Sequence, residues 1–261
     1  MSDDTRHKTV PHHALEHVSG AYVLHAPRSR AEWRVAAILL ADAFHEDPFN
    51  RALMPDPAAR RRVFLLVYRM LLRFFRVDGT ILLLSARSDA RVSSTPGGPA
   101  ATGHVPAAGV IVFRVEGEHM SAGERLARLP RRVAAFTCAL ALPVRMLFIG
   151  HIGGLLRRSR TLRASYGKLR EAYRPFENRP YLSLELIAVR SDLRGNGLMG
   201  RMMGPMLEEA DRKSLTVVLN TETPENLPIY AHYGFEPVDS VEAVPGALTY
   251  HVLARRPGAG R

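Results

Sequence analysis

From Ala31 to His45 the chain reads AEWRVAAILLADAFH, with apolar residues returning every three or four positions. That spacing lines one face of an amphipathic helix, and Pro48 helps to end it. A second stretch, Pro57 to Arg76, places Val63, Phe64, Val67, Met70, Leu71, Phe74 and Phe75 on one broad face, with arginines elsewhere. It predicts a helix whose stripe is core. Period-two or continuously apolar runs predict strands at Ala21–Ala26, Thr80–Ala86 and Ala107–Val115. Between the last two lies SSTPGGPAATG, Ser93 to Gly103, a surface loop, so the pair reads as an antiparallel hairpin with a long tip. Ser121 to Tyr173 reads as irregular helix, broken at Pro130, Pro143 and Gly153-Gly154. The last third changes character: strand Tyr181–Val189, helix about Gly197–Lys213, strand Leu215–Asn220, short helix Pro224–Tyr233, then strands near Glu236–Val241 and Leu248–Leu253. There is no internal repeat. The organisation expected is a flexible tail over 1–18, one domain over 19–256 with a helical insertion at 117–179, and a short tail over 257–261.

Composition narrows the setting. The chain has 261 residues, 46% of them hydrophobic, enough for a sizeable core. Its one cysteine, Cys138, cannot form an internal disulfide, which suits a reducing compartment. The opening MSDDTRHKTV lacks the apolar segment of a secretory signal. The longest apolar run, Val133 to Val144, falls well short of the roughly 20 residues a membrane-spanning helix needs. A cytoplasmic protein with no transmembrane segment is expected. His13 and His17 stand four apart, but no carboxylate or cysteine joins them at ligand spacing, so no metal is expected.

The net charge of +11 fits three kinds of polyanion: nucleic acid, an anionic membrane face, or a phosphate-bearing cofactor. Much of the excess lies between Ser121 and Tyr173, where eleven basic residues face only Glu124 and Glu171. A solvated helical face, a phosphate clamp and contact with an acidic partner all fit that run. Clustered arginine without interleaved aromatics argues against sequence-specific nucleic-acid reading.

The stretch LRGNGLMGRMM, Leu193 to Met203, carries the chemistry. Gly195, Gly197 and Gly200 sit where a strand gives way to a helix. The first N–H groups of a helix lack intrahelical partners and carry the positive end of its dipole, so such a turn suits a phosphate. Tight packing alone would also explain the glycines. A dinucleotide-binding fold fits the letters but not the setting, because this turn normally follows the first strand and is answered by a ribose-binding carboxylate about 20 residues on. Here the next strand ends in Asn220.

Read from Val189 through Gly197, the same residues resemble the pyrophosphate-binding signature of the GCN5-related N-acetyltransferases (GNAT), with Arg194 and Gly197 at matching positions. Met199 stands where that signature has Gly or Ala. A second resemblance lies downstream in NTETPENLPIYAHYGFEPVD, Asn220 to Asp239. Within it NLPIYAHYGF is similar to puromycin N-acetyltransferase-like proteins, as is AFHEDPFNRALMPD, Ala43 to Asp56.

The resemblance implies an α/β (α+β) fold: a mixed, mostly antiparallel central sheet flanked by helices, with the helical insertion before the cofactor-binding strand. It implies acetyl-CoA as cofactor, its pyrophosphate held by Arg194, Gly195, Asn196, Gly197, Leu198, Met199 and Gly200, with Arg201 either a further cation or a surface residue. Main-chain groups of Ile187, Ala188 and Val189 would pair with the pantetheine arm, and Asn226 would add a side-chain contact. Tyr230 would protonate the departing thiolate, since a phenol with a reference pKa near ~10 stays protonated beside a thiol near ~8.5; a buried core tyrosine is the alternative. Tyr233 reads as packing. Glu185, among apolar strand neighbours that would raise its pKa, reads as a base acting directly or through water; a strand carboxylate paired with an arginine is the alternative. At Asn220 many relatives carry glutamate.

The acceptor implied is a small-molecule amine, an antibiotic or nucleoside-like compound among the candidates. Glu46, Asp47, Glu185 and Glu222 are available as acidic walls, and 117–179 as the substrate wall. Cys138 lies in an apolar run away from any evident base, so direct transfer is expected. The contrasting reading is a non-catalytic module that keeps the fold, binding CoA or using its basic segment on nucleic acid, membrane or a partner. Oligomeric state, homodimer included, stays open.

Overall fold

A computed structural model of the chain describes residues 15–87, 107–117, 167–244, 246 and 248–259. Two short strands, β1 (His17–Ser19) and β2 (Tyr22–His25), open it as an antiparallel pair turned at Gly20, which has φ +59. β1 therefore starts inside the stretch expected to be tail. Arg201 holds it there, its guanidinium donating to the Ser19 carbonyl at 2.6 Å and lying over the Tyr22 ring.

Each early helix starts at a side-chain cap that replaces missing backbone partners. Ser29 and Glu32 form a capping box for α1 (Arg30–Ala43). Asp47 accepts from the N–H groups of Phe49 and Asn50 and begins α2 (Pro48–Leu53). Pro48, expected only to end a helix, also starts one, because its missing N–H costs nothing in a first turn. Asp56 does the same for α3 (Pro57–Asp78).

Next come β3 (Thr80–Ala86) and β4 (Ala107–Glu116), antiparallel as the hairpin reading requires. Residues 167–173 are helical and lead through one 3-10 turn to β5 (Tyr181–Val189). Then follow α4 (Leu198–Arg212), β6 (Thr216–Thr221), α5 (Leu227–His232), β7 (Glu236–Val244) and β8 (Leu248–Arg255). The loop at Ser93–Gly103, the run Val133–Val144 with Cys138, His13 and most of Ser121–Tyr173 lie outside the described residues. Among the described residues no helix is long and apolar enough to cross a membrane.

The eight strands form one sheet in the order β1-β2-β3-β4-β5-β6-β8-β7. Every pairing is antiparallel except β5 with β6, which is parallel. The architecture is thus a mixed, mostly antiparallel sheet flanked by helices. On one face α4 lays Met202, Met203 and Met206 against Ile111, Phe113, Leu182 and Leu184. On the other, Ala37 and Leu40 of α1 and Val63 and Leu72 of α3 cover Ile81, Leu83, Val110 and Val112. A third cluster joins Leu169 and Ala172 to Tyr181, Val218, Tyr250 and Val252 at the far end of the sheet.

Gly109 lets α4 come this close. A Cβ there would stand 2.7 Å from the Met202 sulfur and 3.0 Å from the Ala188 carbonyl oxygen. Because Met202 is fully buried, little room exists for it to withdraw. Gly109→Val is expected to cost about 1–3 kcal/mol of stability through overpacking, read as a lowered denaturation midpoint with unchanged slope; an unaltered midpoint would show the contact to be soft.

Candidate functional site

The site begins as a break in the sheet. β5 and β6 pair only through Tyr181–Thr216, Leu182–Val217 and Ser183–Val218. Beyond that point β6 remains bound to β8, through Leu219–Leu253, Asn220–Val252 and Thr221–His251, while β5 stays with β4 as far as Val189. The two strands part. A bulge accompanies the divergence: the β4 register shifts between Val112 and Phe113, leaving Glu185 unmatched between Leu184 and Leu186.

Arg190 N–H donates to the Ala108 carbonyl at 2.9 Å, so Arg190, Ala188 and Leu186 exchange hydrogen bonds with β4. Strand alternation then turns the main-chain groups of Ile187 and Val189 toward the gap. Of the three residues expected to offer backbone groups there, Ala188 does not, because β4 already occupies its N–H and C=O.

At the end of β5 a 3-10 turn, Ser191–Leu193, leads into the glycine turn. Gly195 and Gly197 have φ of +80 and +67, a region costly for other residues, and a Cβ at either would meet nothing within 4 Å. The turn is open in front. Gly197 is the N-cap of α4 and supplies no side-chain acceptor, so among the described residues the first N–H groups of α4, at Leu198, Met199 and Gly200, have no capping side chain. Asn196 points its amide back into the turn, donating to the carbonyls of Leu193 and Arg194 at 3.1 and 3.3 Å.

Leu198 is buried and Met199 packs on the core, so the larger residue at that position turns away from the mouth. Gly200 serves differently, because a Cβ there would lie 3.2 Å from the Tyr233 hydroxyl, which makes it a packing glycine against α5. Arg194 is exposed at the turn. Arg201, expected as a second phosphate cation or a surface residue, is committed to β1.

Across the gap, Asn226 lies in the 3-10 turn before α5 and donates from Nδ2 to the Thr221 hydroxyl at 3.3 Å. Tyr230 is 8% exposed and meets the Phe235 ring edge-on at 5.9 Å. Its hydroxyl has no hydrogen-bond partner among the described residues. Burial, and then the charge of Glu222, push its phenol well above the usual range, so it stays protonated at any physiological pH.

Buried Arg255 fixes this helix. It forms a two-pronged ion pair with Asp211 at 2.7 and 2.9 Å and donates to the Tyr233 carbonyl at 3.1 Å. One guanidinium thus ties β8, the last turn of α4 and the end of α5.

Glu185 takes the arginine-paired alternative of the two readings, and Glu222 differs from expectation. Glu185 is not left among apolar neighbours: Arg114 Nε donates to its Oε1 at 2.7 Å, while the other arm of Arg114 holds Glu116. Glu222, read from sequence only as a wall, lies where β6 ends. Burial first, and the nearby Asp47 charge second, push its carboxyl up to about 8. Asp47 is itself raised by burial, against the two N–H groups it caps. Asn220 donates to Glu222 at 3.4 Å and accepts from the Tyr173 hydroxyl at 3.1 Å. Asp47 and Glu222 stand far apart in the chain, and only the cap signature before Pro48 is visible in sequence. An open groove of about 930 Å³ beside the C-terminal half of α4, lined by Tyr233, His232 and Arg212, does not reach the gap.

No protein-family model matches the chain. Among solved structures, the Corynebacterium glutamicum "histone acetyltransferase HPA2 and related acetyltransferase" superposes with a TM-score of 0.54 at 12% identity, over 91% of this chain and 97% of that one. The chain has a GNAT acetyltransferase fold. Arylalkylamine N-acetyltransferase 2 from Aedes aegypti gives a TM-score of 0.48 at 11% identity, over 91% and 99%.

The raised carboxyl of Glu222 makes stability depend on pH. Its folded value of about 8 exceeds the ordinary 4.5, so the native state retains a proton that the unfolded chain releases. The resulting stabilisation is complete below pH 4.5 and disappears as pH rises to about 8. Glu222→Gln is expected to flatten this decline, so the variant should gain on the parent steadily from about pH 5 to about pH 8 in melting temperature. Parallel curves would refute it.

Proposed function

We propose that the chain is an acetyl-CoA-dependent N-acetyltransferase that passes the acetyl group directly to a small-molecule amine. The observation that carries the reading is the parting of β5 from β6 beside an uncapped helix start, which puts an unpaired strand edge next to a turn whose N–H groups lack a side-chain cap. A ligand with an amide-bearing arm and a diphosphate satisfies both. The fold supports the same reading. The motifs NLPIYAHYGF and AFHEDPFNRALMPD favour a puromycin N-acetyltransferase-like member, with antibiotic-like or nucleoside-like amines as first acceptors to try.

Bound in this gap, acetyl-CoA supplies an acetyl group activated as a thioester. The chain's own groups have separable roles. The N–H groups of Leu198, Met199 and Gly200, with Gly195 and Gly197 keeping the turn open, would hold the diphosphate, and Arg194 adds charge from outside. Ile187 and Val189 would pair through the main chain with the arm, as an added strand does. Asn226, anchored on Thr221, can turn a polar atom to the same arm. Tyr230 keeps a proton at its phenol oxygen for the leaving thiolate. Glu185 sits at the bulge with one oxygen already engaged by Arg114. It would shape that point of the gap.

Acetyl-CoA at about a hundred times its Kd should stabilise the protein by about 2.7 kcal/mol, seen as a raised melting temperature. An unmoved transition would defeat the reading. Tyr230→Phe should lower thiol release with a responsive amine by roughly 100-fold while the acetyl-CoA shift persists. Equal turnover would remove Tyr230 from the chemistry. A coenzyme shift without thiol release from any amine would instead leave a CoA-binding module.

A further inference from the structure

Among the described residues, the carboxylates that lack a cationic partner are exposed, apart from Asp47 and Glu222, which are half-buried. Glu46 has Arg60, Glu185 has Arg114, Asp192 has Arg190 and Asp211 has Arg255, each within 2.8 Å. Asp47 and Glu222 have no cationic partner among the described residues. Phe49 and Leu53 of α2 pack against the cluster of Val218, Tyr250 and Val252, which seats the α1–α2 corner beside β6 and β8, and the Asp47 charge is felt by Glu222. Two neighbouring negative charges in a half-buried place cost free energy until a cation joins them.

A second, independent feature marks the place as a ligand site. Tyr230, more than nine-tenths buried, has a hydroxyl without a partner among the described residues, and that phenol lies within the field of Glu222. The surroundings are aromatic. Phe44 stacks on Tyr68 at 5.8 Å, and the Tyr68 hydroxyl accepts from Asn50 Nδ2 at 3.1 Å. Tyr173 reaches the pair through Asn220.

We propose that Asp47 and Glu222 form the acceptor seat, that it takes a small primary amine with an apolar body arriving as its ammonium, and that Glu222 removes the proton which frees the nitrogen. This rests on the acetyltransferase reading above. The acid–base account balances. An N–H bond of the ammonium breaks and its proton passes to the Glu222 carboxylate. The freed lone pair forms the C–N bond at the acetyl carbonyl carbon, and the C–S bond breaks. Tyr230 gives its proton to the thiolate and recovers one from the acylated nitrogen, while Glu222 releases its own to solvent. One proton leaves per turnover, as conversion of an ammonium to an amide requires. A base titrating near the working pH is suited to this step. The groups facing it are Asp47 from the α1–α2 corner, Tyr68 from α3, Asn220 beside it on β6 and Tyr230 from α5.

The test uses the full chain, acetyl-CoA and 2-phenylethylamine with a panel of other primary amines. Thiol release and the acetyl-CoA melting shift are both read. The parent protein should turn over at least one primary amine, with kcat/KM rising toward pH 8. Glu222→Gln should lose about 100-fold or more in kcat/KM together with that rise. Asp47→Asn, which preserves a helix cap, should mainly raise KM for the amine. Both variants should retain the acetyl-CoA shift, which shows them folded and coenzyme-competent. Parental kcat/KM in Glu222→Gln overturns the proposal, as does a parent protein that binds acetyl-CoA yet accepts none of the primary amines. An absent acetyl-CoA shift in the parent would instead fell the underlying reading, and this proposal with it.

Discussion

A backbone that leaves its sheet must find partners for its N–H and C=O groups, and this requirement organises the molecule. β5 and β6 share only three residue pairs before parting. Each is held from outside, β5 by β4 and β6 by β8, so the gap cannot close by a slight shift of one strand. Closing it would break an antiparallel ladder. The bulge at Glu185 turns β5 at the level where the separation starts. On one side of the bulge Leu182 and Leu184 face α4, and beyond it Ile187 and Val189 do so, which keeps that face apolar despite the change of register.

The helices that flank the gap are fixed by contacts remote from it. Met202 fills the hollow over Gly109 and sets how closely α4 approaches the sheet, and therefore where its free N–H groups stand. Arg255 sets α5, and with it Tyr230, against the far end of α4. A buried two-pronged pair of this kind contributes more to geometry than to net stability, because desolvating both charges offsets much of their attraction. Arg201 serves the sheet in a similar way from the β1 edge. The cations of this region are thus largely structural, while exposed Arg194 stands at the mouth of the glycine turn.

Local pattern makes much of this legible. The strand Tyr181–Val189 has the same limits in sequence and structure, and α3 and α4 differ from expectation by a residue or two, because their periodicity and caps are local signals. The glycine turn is readable for the same reason. What escapes a sequence reading is long-range. Nothing near Glu185 announces Arg114, 71 residues away, and the bulge exists only in relation to β4. Glu222 has no local mark of catalysis, because its environment depends on Asp47 across the fold. Gly200 reads as part of a phosphate fingerprint, whereas in the structure it admits the Tyr233 ring. Chemistry carried by the main chain is visible in sequence; chemistry carried by pairs of distant side chains is not.

The overall charge of +11 says little about what the gap attracts. Exposed charges beyond about 8 Å are screened at physiological salt, so the sign of the local field is set by groups within a few ångströms. At the outer end those groups are uncapped N–H donors and Arg194, which favour an anion. At the inner end they are Asp47 and Glu222, which favour a cation. The glycine turn and the α1–α2 corner therefore carry opposite local signs, and β5 leaves an unpaired edge where it parts from β6. A diphosphate and an ammonium would be directed to different ends without competing, and the neutral thioester would be left beside the Tyr230 phenol.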